Sequence, residues 1–259
     1  MPFTEKDGIR YLTFESFPSD VLHGVISRRG GVSPNPWKSL NVGGTVGDER
    51  LRVRENRLRS FSAFGRSLAS IFDVWPIHSM EAAFGDAPID PDTDLTRADI
   101  IFTDKADVTL YMRFADCVPI LFYDPVKGVI GIAHAGWLGT VRGVGAAAVK
   151  AMQKRYGSRP DDIRAGIGPS IGPDHYEVGP DVIEQVRSAF GKQTDQLIVS
   201  RAGRTHFDLW EANRLELQNA GVEKVELSGV CTACHLEDWF SHRAEKGRTG
   251  RFGALMALT

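Results

Sequence analysis

The stretch Asp116–Trp137, DCVPILFYDPVKGVIGIAHAGW, decides how this chain is read. Two apolar runs flank Asp124-Pro125-Val126-Lys127-Gly128, a string of turn formers. The segment therefore predicts a β-hairpin with strands over Pro119–Tyr123 and Val129–Ala133. Placing Tyr123 opposite Val129 sets Cys117 opposite Ala135 and His134 opposite Val118. Cys117 and His134 are then diagonal neighbours at the hairpin's open end, roughly 5–8 Å apart at Cβ, close enough to share a metal or a proton. Beyond Ala135-Gly136-Trp137 the chain turns into a helix expected from Thr140 to Tyr156, with Val141, Val144, Ala148 and Met152 on one face. The positive end of that helix and its unpaired N–H groups open toward the same point, and Asp116 stands beside the cysteine. The plain alternative makes Cys117 a small buried hydrophobe and His134 a hydrogen-bonded core histidine.

Outward from the hairpin, short β-like runs recur at Ile9–Phe14, Leu22–Ser27, Ile100–Thr103, Val108–Phe114, Ile163–Gly168, Gln196–Ser200, Lys224–Ser228 and Gly253–Leu258. Helices interrupt them. Asp48 is expected to cap one running to about Phe64, Pro180 to open one ending at Gly191, and Asp208 to cap one stopped by Gly221. Some successive strands are joined by short turns and others by helices, which predicts an α+β class, a single domain over 1–259 with mixed β-sheets flanked by helices. No G-x-G-x-x-G follows the first strand, which argues against a doubly wound nucleotide-binding fold. Loops at 30–47, 85–95 and 168–180, rich in Gly, Pro and Asp, are candidate walls of a site.

A chain of 259 residues that is 42% hydrophobic can bury a sizeable core unaided. Its 31 basic and 33 acidic residues offer no electrostatic footprint for nucleic acid or an anionic membrane. The start, MPFTEKDGIRYLTF, lacks the apolar stretch of a signal peptide, and no run reaches membrane-spanning length, so a cytoplasmic protein is expected. Three cysteines cannot all pair, which points to thiolate chemistry or inert burial.

At these residues a resemblance enters. Ala115–Thr140, ADCVPILFYDPVKGVIGIAHAGWLGT, resembles the motif of the laccase-domain family, formerly called multicopper polyphenol oxidases and also known as laccase-domain purine nucleoside phosphorylases or peptidoglycan editing factors. The likeness extends to SRRGGVSPNPWKSLNVGG, GDERLRVRENR, GIGPSIGPDHYEVG and CTAC…FSHRAEKGRTGR, several separated motifs in the right order. It implies a CNF1/YfiH-like fold and a zinc held by His78, Cys117 and His134. It also implies a monomer acting on purine nucleosides: phosphorolysis of adenosine, inosine, guanosine and methylthioadenosine, together with adenosine deamination. Three protein ligands and one open position suit a catalytic zinc. On this reading Cys117, His134 and Asp116 are catalytic, with Asp116 orienting the centre or accepting a proton. Arg29, Asn41, Arg57 and Arg243 contact substrate or phosphate, helped by the helix start after Trp137. The chain departs from the family at Leu138, where Arg is usual, at Pro76, where Gln is common, and at His242-Arg243-Ala244, where Tyr-Arg-Arg is usual; Arg142 or Arg243 is the candidate replacement for the missing cation.

Copper in a laccase-type site also takes two histidines and a cysteine, with Met80 or Met112 as an axial group, but seven histidines cannot furnish a trinuclear cluster as well. A metal-free hydrolase with Cys117 as nucleophile leaves His78 without a role. A nucleotide-sensing or cell-wall factor would use the metal for binding alone. Cys231-x-x-Cys234 suggests a structural zinc or a redox pair, yet no second CxxC completes four ligands and only His242 offers another, so an inert role is expected. His23, His175 and His206 are read as surface or hydrogen-bonded histidines, and Gly168–Pro173 as a rigid pocket wall whose prolines lack cradle donors.

Overall fold

The computed structural model describes residues 3–90 and 93–259; Met1, Pro2 and the Pro91 and Asp92 of the 85–95 loop lie outside it. In chain order the strands are β1 (Phe3–Lys6), β2 (Ile9–Leu12), β3 (Val21–Ile26), β4 (Ile71–Phe72), β5 (Ala82–Phe84), β6 (Ile100–Thr103), β7 (Thr109–Phe114), β8 (Val118–Asp124), β9 (Val129–Ala135), β10 (Arg164–Ile167), β11 (Ile198–Arg201), β12 (Arg204–Phe207), β13 (Lys224–Leu227) and β14 (Phe252–Leu258). The helices are α1 (Arg50–Ala63), α2 (Trp137–Arg142), α3 (Val144–Tyr156), α4 (Pro180–Phe190), α5 (Thr194–Leu197) and α6 (Leu209–Asn219). One six-stranded sheet runs β1-β2-β3-β14-β7-β4 and the other β13-β10-β8-β9-β6-β5, with β11-β12 a separate hairpin. The β4–β7, β5–β6 and β10–β13 pairs are parallel and the rest antiparallel, so both large sheets are mixed, in the α+β class expected.

Side-chain alternation along β8 and β9 layers the molecule. Val118, Ile120 and Phe122 of β8, with Val129, Ala133 and Ala135 of β9, pack with Val144, Ala148 and Met152 of α3 and Leu217 of α6. Leu121, Tyr123, Ile130 and Ile132 point the other way, into a core shared with Leu110, Met112 and Phe114 of β7 and Phe252, Ala254 and Met256 of β14. A third cluster joins Tyr111 and Leu255 to Phe61 of α1 on the outer face of the first sheet. The order is therefore helix, sheet, sheet and helix, with the strands of the 116–137 hairpin central to the second sheet. Among the described residues no helix is long and apolar enough to cross a membrane.

The hairpin forms as expected but one residue out of register. Asp124 faces Val129 and Tyr123 faces Ile130, so His134 sits opposite Pro119 and Val118 opposite Ala135. The Asp124 carboxylate explains the shift. It accepts the N–H groups of Val126 and Lys127, which extends the strand by one residue and closes a four-residue turn with Gly128 at φ 63°. The consequence is large because a one-residue slip moves a side chain to the other face. In the expected register Cys117 and His134 point to opposite faces; in the observed one they share the face turned toward the first sheet.

The helix expected over Thr140–Tyr156 is two. It starts three residues early, at Trp137, and breaks at Gly143, whose φ of 91° no helix accommodates. Asp48 does not cap α1: its carboxylate takes the Ser33 hydroxyl, the Asn41 amide and the Glu49 N–H, and Glu49 at the N-cap makes no side-chain capping bond. Pro180 and Asp208 open α4 and α6 as expected, the Asp208 carboxylate accepting the Glu211 N–H. Gln196 and Leu197 belong to α5, not to a strand.

Candidate metal centre and its surroundings

His78, Cys117 and His134 come together with one donor atom each, all within 4.8 Å of one another. Cys117 lies just before β8 and His134 near the end of β9. His78 comes from the loop between β4 and β5, where it adopts a φ of 58°. Asp99, immediately before β6 and fully buried, holds that loop. Its Oδ1 accepts the His78 N–H at 3.0 Å and its Oδ2 accepts those of Ile77 and Ser79 at 3.0 and 2.7 Å, with the Ser79 hydroxyl at 2.9 Å. The same Oδ1 lies 3.0 Å from His134 Nδ1. One carboxylate therefore holds the ring of His134 and the backbone of His78, and by occupying Nδ1 it leaves Nε2 of His134 for a ligand.

Charge follows from this geometry. Burial raises the Asp99 carboxyl, but the hydrogen bonds from His134 and the Ser79 N–H outweigh it and hold the group at about 2. Burial likewise opposes ionisation of Cys117, and the two histidines reverse it, bringing the thiol down to about 6. Burial depresses His134, whereas the facing Cys117 and Asp99 raise it to about 9. A thiolate is the form a metal binds.

The residues fit a metal by a further criterion. A Cβ built on Gly136 would lie 2.9 Å from His78 Cδ2, 3.0 Å from Cys117 Sγ and 3.3 Å from His78 Nε2. Glycine at 136 thus keeps open the space between the donors. Its φ of −71° is ordinary, so steric room and not backbone freedom is what this position requires.

The other expected site residues are placed as follows. Asp116, at φ 78°, accepts the Thr232 hydroxyl at 2.6 Å and the Arg243 N–H at 2.7 Å, while its carbonyl takes the Ile171 N–H. It ties the 168–180 and 231–243 segments to the strand that carries Cys117. Arg243 extends its guanidinium over the Tyr176 ring, 5.1 Å from the centroid, and donates to the Glu177 carbonyl. Asn41 is fully buried, donating to Asp48 and the Gly43 carbonyl and accepting the N–H groups of Gly43 and Arg251. Arg29 pairs with Asp238 at 2.7 Å and lines a separate hollow of about 310 Å³ with Arg28, Lys38 and Glu237. Arg57 donates to the Val42 carbonyl. Arg142, whose side chain stands near the Leu138 departure, donates to the His78 carbonyl at 3.1 Å.

Sequence reasoning missed Asp99, Arg251 and Tyr176. Burial depresses Arg251, partly offset by the nearby charges of Cys117 and Asp116, and its guanidinium donates to the Gly250 carbonyl. Burial raises the Tyr176 phenol, reinforced by Cys117. Asp99 carries no local motif and is visible only through its position ahead of β6. Tyr176 and Arg251 lay inside the quoted motifs and offered a signal there.

Residues 22–259 match the family model described as multi-copper polyphenol oxidoreductase laccase. A purine nucleoside phosphorylase of Deinococcus radiodurans is 38% identical over 238 residues, covering 92% of this chain and 89% of that one. The adenosine deaminase RL5 of an unknown prokaryotic organism is 33% identical over 226 residues, covering 84% and 86%. The crystal structure of YlmD from Geobacillus stearothermophilus superposes with a TM-score of 0.91 at 34% identity, covering 99% of this chain and 98% of that one. The chain therefore belongs to the laccase-domain family, whose relatives include purine nucleoside phosphorylases.

Proposed function

We propose that this chain is a zinc-dependent purine nucleoside phosphorylase acting on adenosine, inosine, guanosine and methylthioadenosine, and that it also deaminates adenosine. The observation that carries the reading is the meeting of His78, Cys117 and His134 around the space kept open by Gly136, in a chain whose relatives have those activities by name. A zinc held by the three would leave one coordination position open and bring a water there toward a pKa of about 7, the chemistry deamination needs.

The chain's own residues supply the rest. Asp99 fixes the ring of His134 and the backbone of His78, so the donor geometry is set before substrate arrives. Phosphorolysis breaks the bond between ribose and base nitrogen and joins the sugar to a phosphate oxygen, so an anion must be held beside the ribose. Arg243 and the desolvated Arg251 are the cations we assign to it, in preference to Arg29, which is paired with Asp238. Tyr176, under the Arg243 guanidinium, provides an aromatic wall. Asp116 positions Arg243 through the backbone.

Zinc is favoured over copper in a laccase-type enzyme. Among the described residues only one other group of three or more such donors exists, and it contains a single histidine, not the several a trinuclear copper cluster requires. Met112 is buried in the core between the sheets and Met80 is exposed.

The test is product analysis of adenosine incubated with and without phosphate, alongside elemental analysis of wild type and Cys117→Ala. Adenine with phosphate and inosine without it, both lost in the variant together with the ion held by His78, Cys117 and His134, is the expected result. Metal without turnover would favour a binding factor, and no metal in the wild type would overturn the reading.

A further inference from the structure

Cys231 and Cys234, for which the sequence offers no partner but His242, meet a different pair. The His242 ring packs on the turn at Gly247. Instead, the 168–180 loop brings Asp174 and His175 to the two thiols, with one donor atom from each of the four residues within 4.8 Å of the others. His175 Nδ1 lies 3.6 Å from Cys231 Sγ and 3.5 Å from Cys234 Sγ. Asp174 Oδ2 lies 3.1 Å from both Cys234 Sγ and His175 Nδ1.

These separations can be compared with a coordination tetrahedron. Zinc–sulfur bonds of about 2.3 Å and zinc–nitrogen bonds of about 2.0–2.1 Å at tetrahedral angles put sulfur and nitrogen about 3.5–3.6 Å apart, and nitrogen and oxygen about 3.3 Å apart. The two sulfur–nitrogen distances match the first and the nitrogen–oxygen distance falls within a few tenths of an ångström of the second, while Cys234 Sγ and Asp174 Oδ2, at 3.1 Å, stand closer than the roughly 3.6 Å such a tetrahedron gives sulfur and oxygen. Two thiols, an imidazole and a carboxylate form the donor set of a soft to borderline divalent cation. Both cysteines are free thiols.

The surroundings are built to keep the donors there. The Gly172 N–H donates to Cys231 Sγ at 3.2 Å, which fixes the thiol against the 168–180 loop. A Cβ on Gly172 would lie 3.1 Å from that of Cys231 and 2.7 Å from Asp174 Oδ1, so the loops can approach only with glycine there. Ser170 and Thr232 exchange backbone hydrogen bonds with Val230 and Ser170, fixing the register between the loops. Cys231 is buried while Cys234 and His175 are exposed, so an ion can enter from solvent.

We propose that Asp174, His175, Cys231 and Cys234 form a second metal site, distinct from the His78–Cys117–His134 centre, which takes zinc or a similar thiophilic divalent ion in tetrahedral coordination. Its role is structural. Asp116 joins the same two loops on the side of Cys117, through Ile171 and Thr232, and the ion pins them on the side of Cys231. Tyr176 and Arg243 project from these segments, so the second ion holds the wall of the first site. The inference concerns metal content and does not depend on the nucleoside chemistry.

Elemental analysis of metal-replete, reduced protein tests it. Wild type is expected to carry two ions per chain, Cys117→Ala one, and Cys231→Ser/Cys234→Ser one. Cobalt(II) added to Cys117→Ala should give the intense visible absorption of a tetrahedral site with sulfur-to-metal charge transfer in the near ultraviolet, lost on adding Cys234→Ser. If Cys117→Ala does not fold, the drop of one ion between wild type and Cys231→Ser/Cys234→Ser decides alone. Equal metal content in those two proteins would overturn the proposal, as would thiol titration of the reduced-purified wild type finding Cys231 and Cys234 joined in a disulfide.

Discussion

Asp99 accepts five hydrogen bonds and is the residue on which the primary donor set turns. An amide in its place has one acceptor oxygen instead of two, so either the His78 loop or the His134 ring loses its partner. Asp99→Asn is expected to weaken metal affinity about 10–100-fold, the range typical of lost partners behind metal-ligating histidines, measured by competition with a chromophoric chelator. Unchanged affinity would remove Asp99 from the centre. Gly136→Ala separates space from folding. Its backbone suits alanine, whereas the new methyl would stand about 3 Å from Cys117 Sγ, so metal should be lost while the protein still folds, with an unfolding free energy lower by about 1–3 kcal/mol. Asp116→Asn should alter KM for phosphate more than metal content, because the carboxylate holds Thr232 and Arg243. No effect on either metal content or turnover would exclude it from the mechanism.

Among the elements, the α2–α3 break illustrates how a buried acid is used. Glu216 of α6 reaches the start of α3, where its Oε1 accepts the Ala146 N–H at 2.8 Å and its Oε2 is buried without a partner. Burial raises the carboxyl from 4.5 to about 7, the Ala146 and Gly145 N–H groups offsetting part of the rise. With the folded-state value above the unfolded one, protonation favours the folded state. The contribution is complete below about pH 4.5 and disappears as pH climbs through about 7. Wild type should lose about 3 kcal/mol relative to Glu216→Gln across that window, from urea unfolding at each pH. A constant difference between the two proteins would exclude this role. The hairpin teaches a related lesson at the same scale. Its existence was legible from composition, yet the register depended on the Asp124 side chain capping its own turn, and that single residue decided whether Cys117 and His134 share a face.

For the molecule as a whole, the site rests on the core between the two sheets. Leu121, on the face of β8 that bears Cys117, is fully buried there. Leu121→Ala is expected to cost about 2–5 kcal/mol of unfolding free energy, read from the denaturant midpoint at unchanged slope. A cost below about 1 kcal/mol would mean that this face collapses readily around a cavity.

Read alone, the sequence determined what is local or periodic. The long strands, the proline-led α4, the Asp208-capped α6 and the hairpin follow from side-chain alternation and turn chemistry, and the separated motifs identified the family and pointed to His78, Cys117 and His134. The two-residue β4 and three-residue β5 escaped because they are shorter than any readable period. The break at Gly143 escaped because the apolar pattern continues across it. Tertiary structure alone decided that Asp99 lies behind His134, 35 residues away, and that Asp174 and His175 meet a cysteine pair more than 50 residues downstream. Such meetings are set by how sheets stack and loops cross, and a linear pattern encodes which side chains point inward but not which of them arrive at the same place.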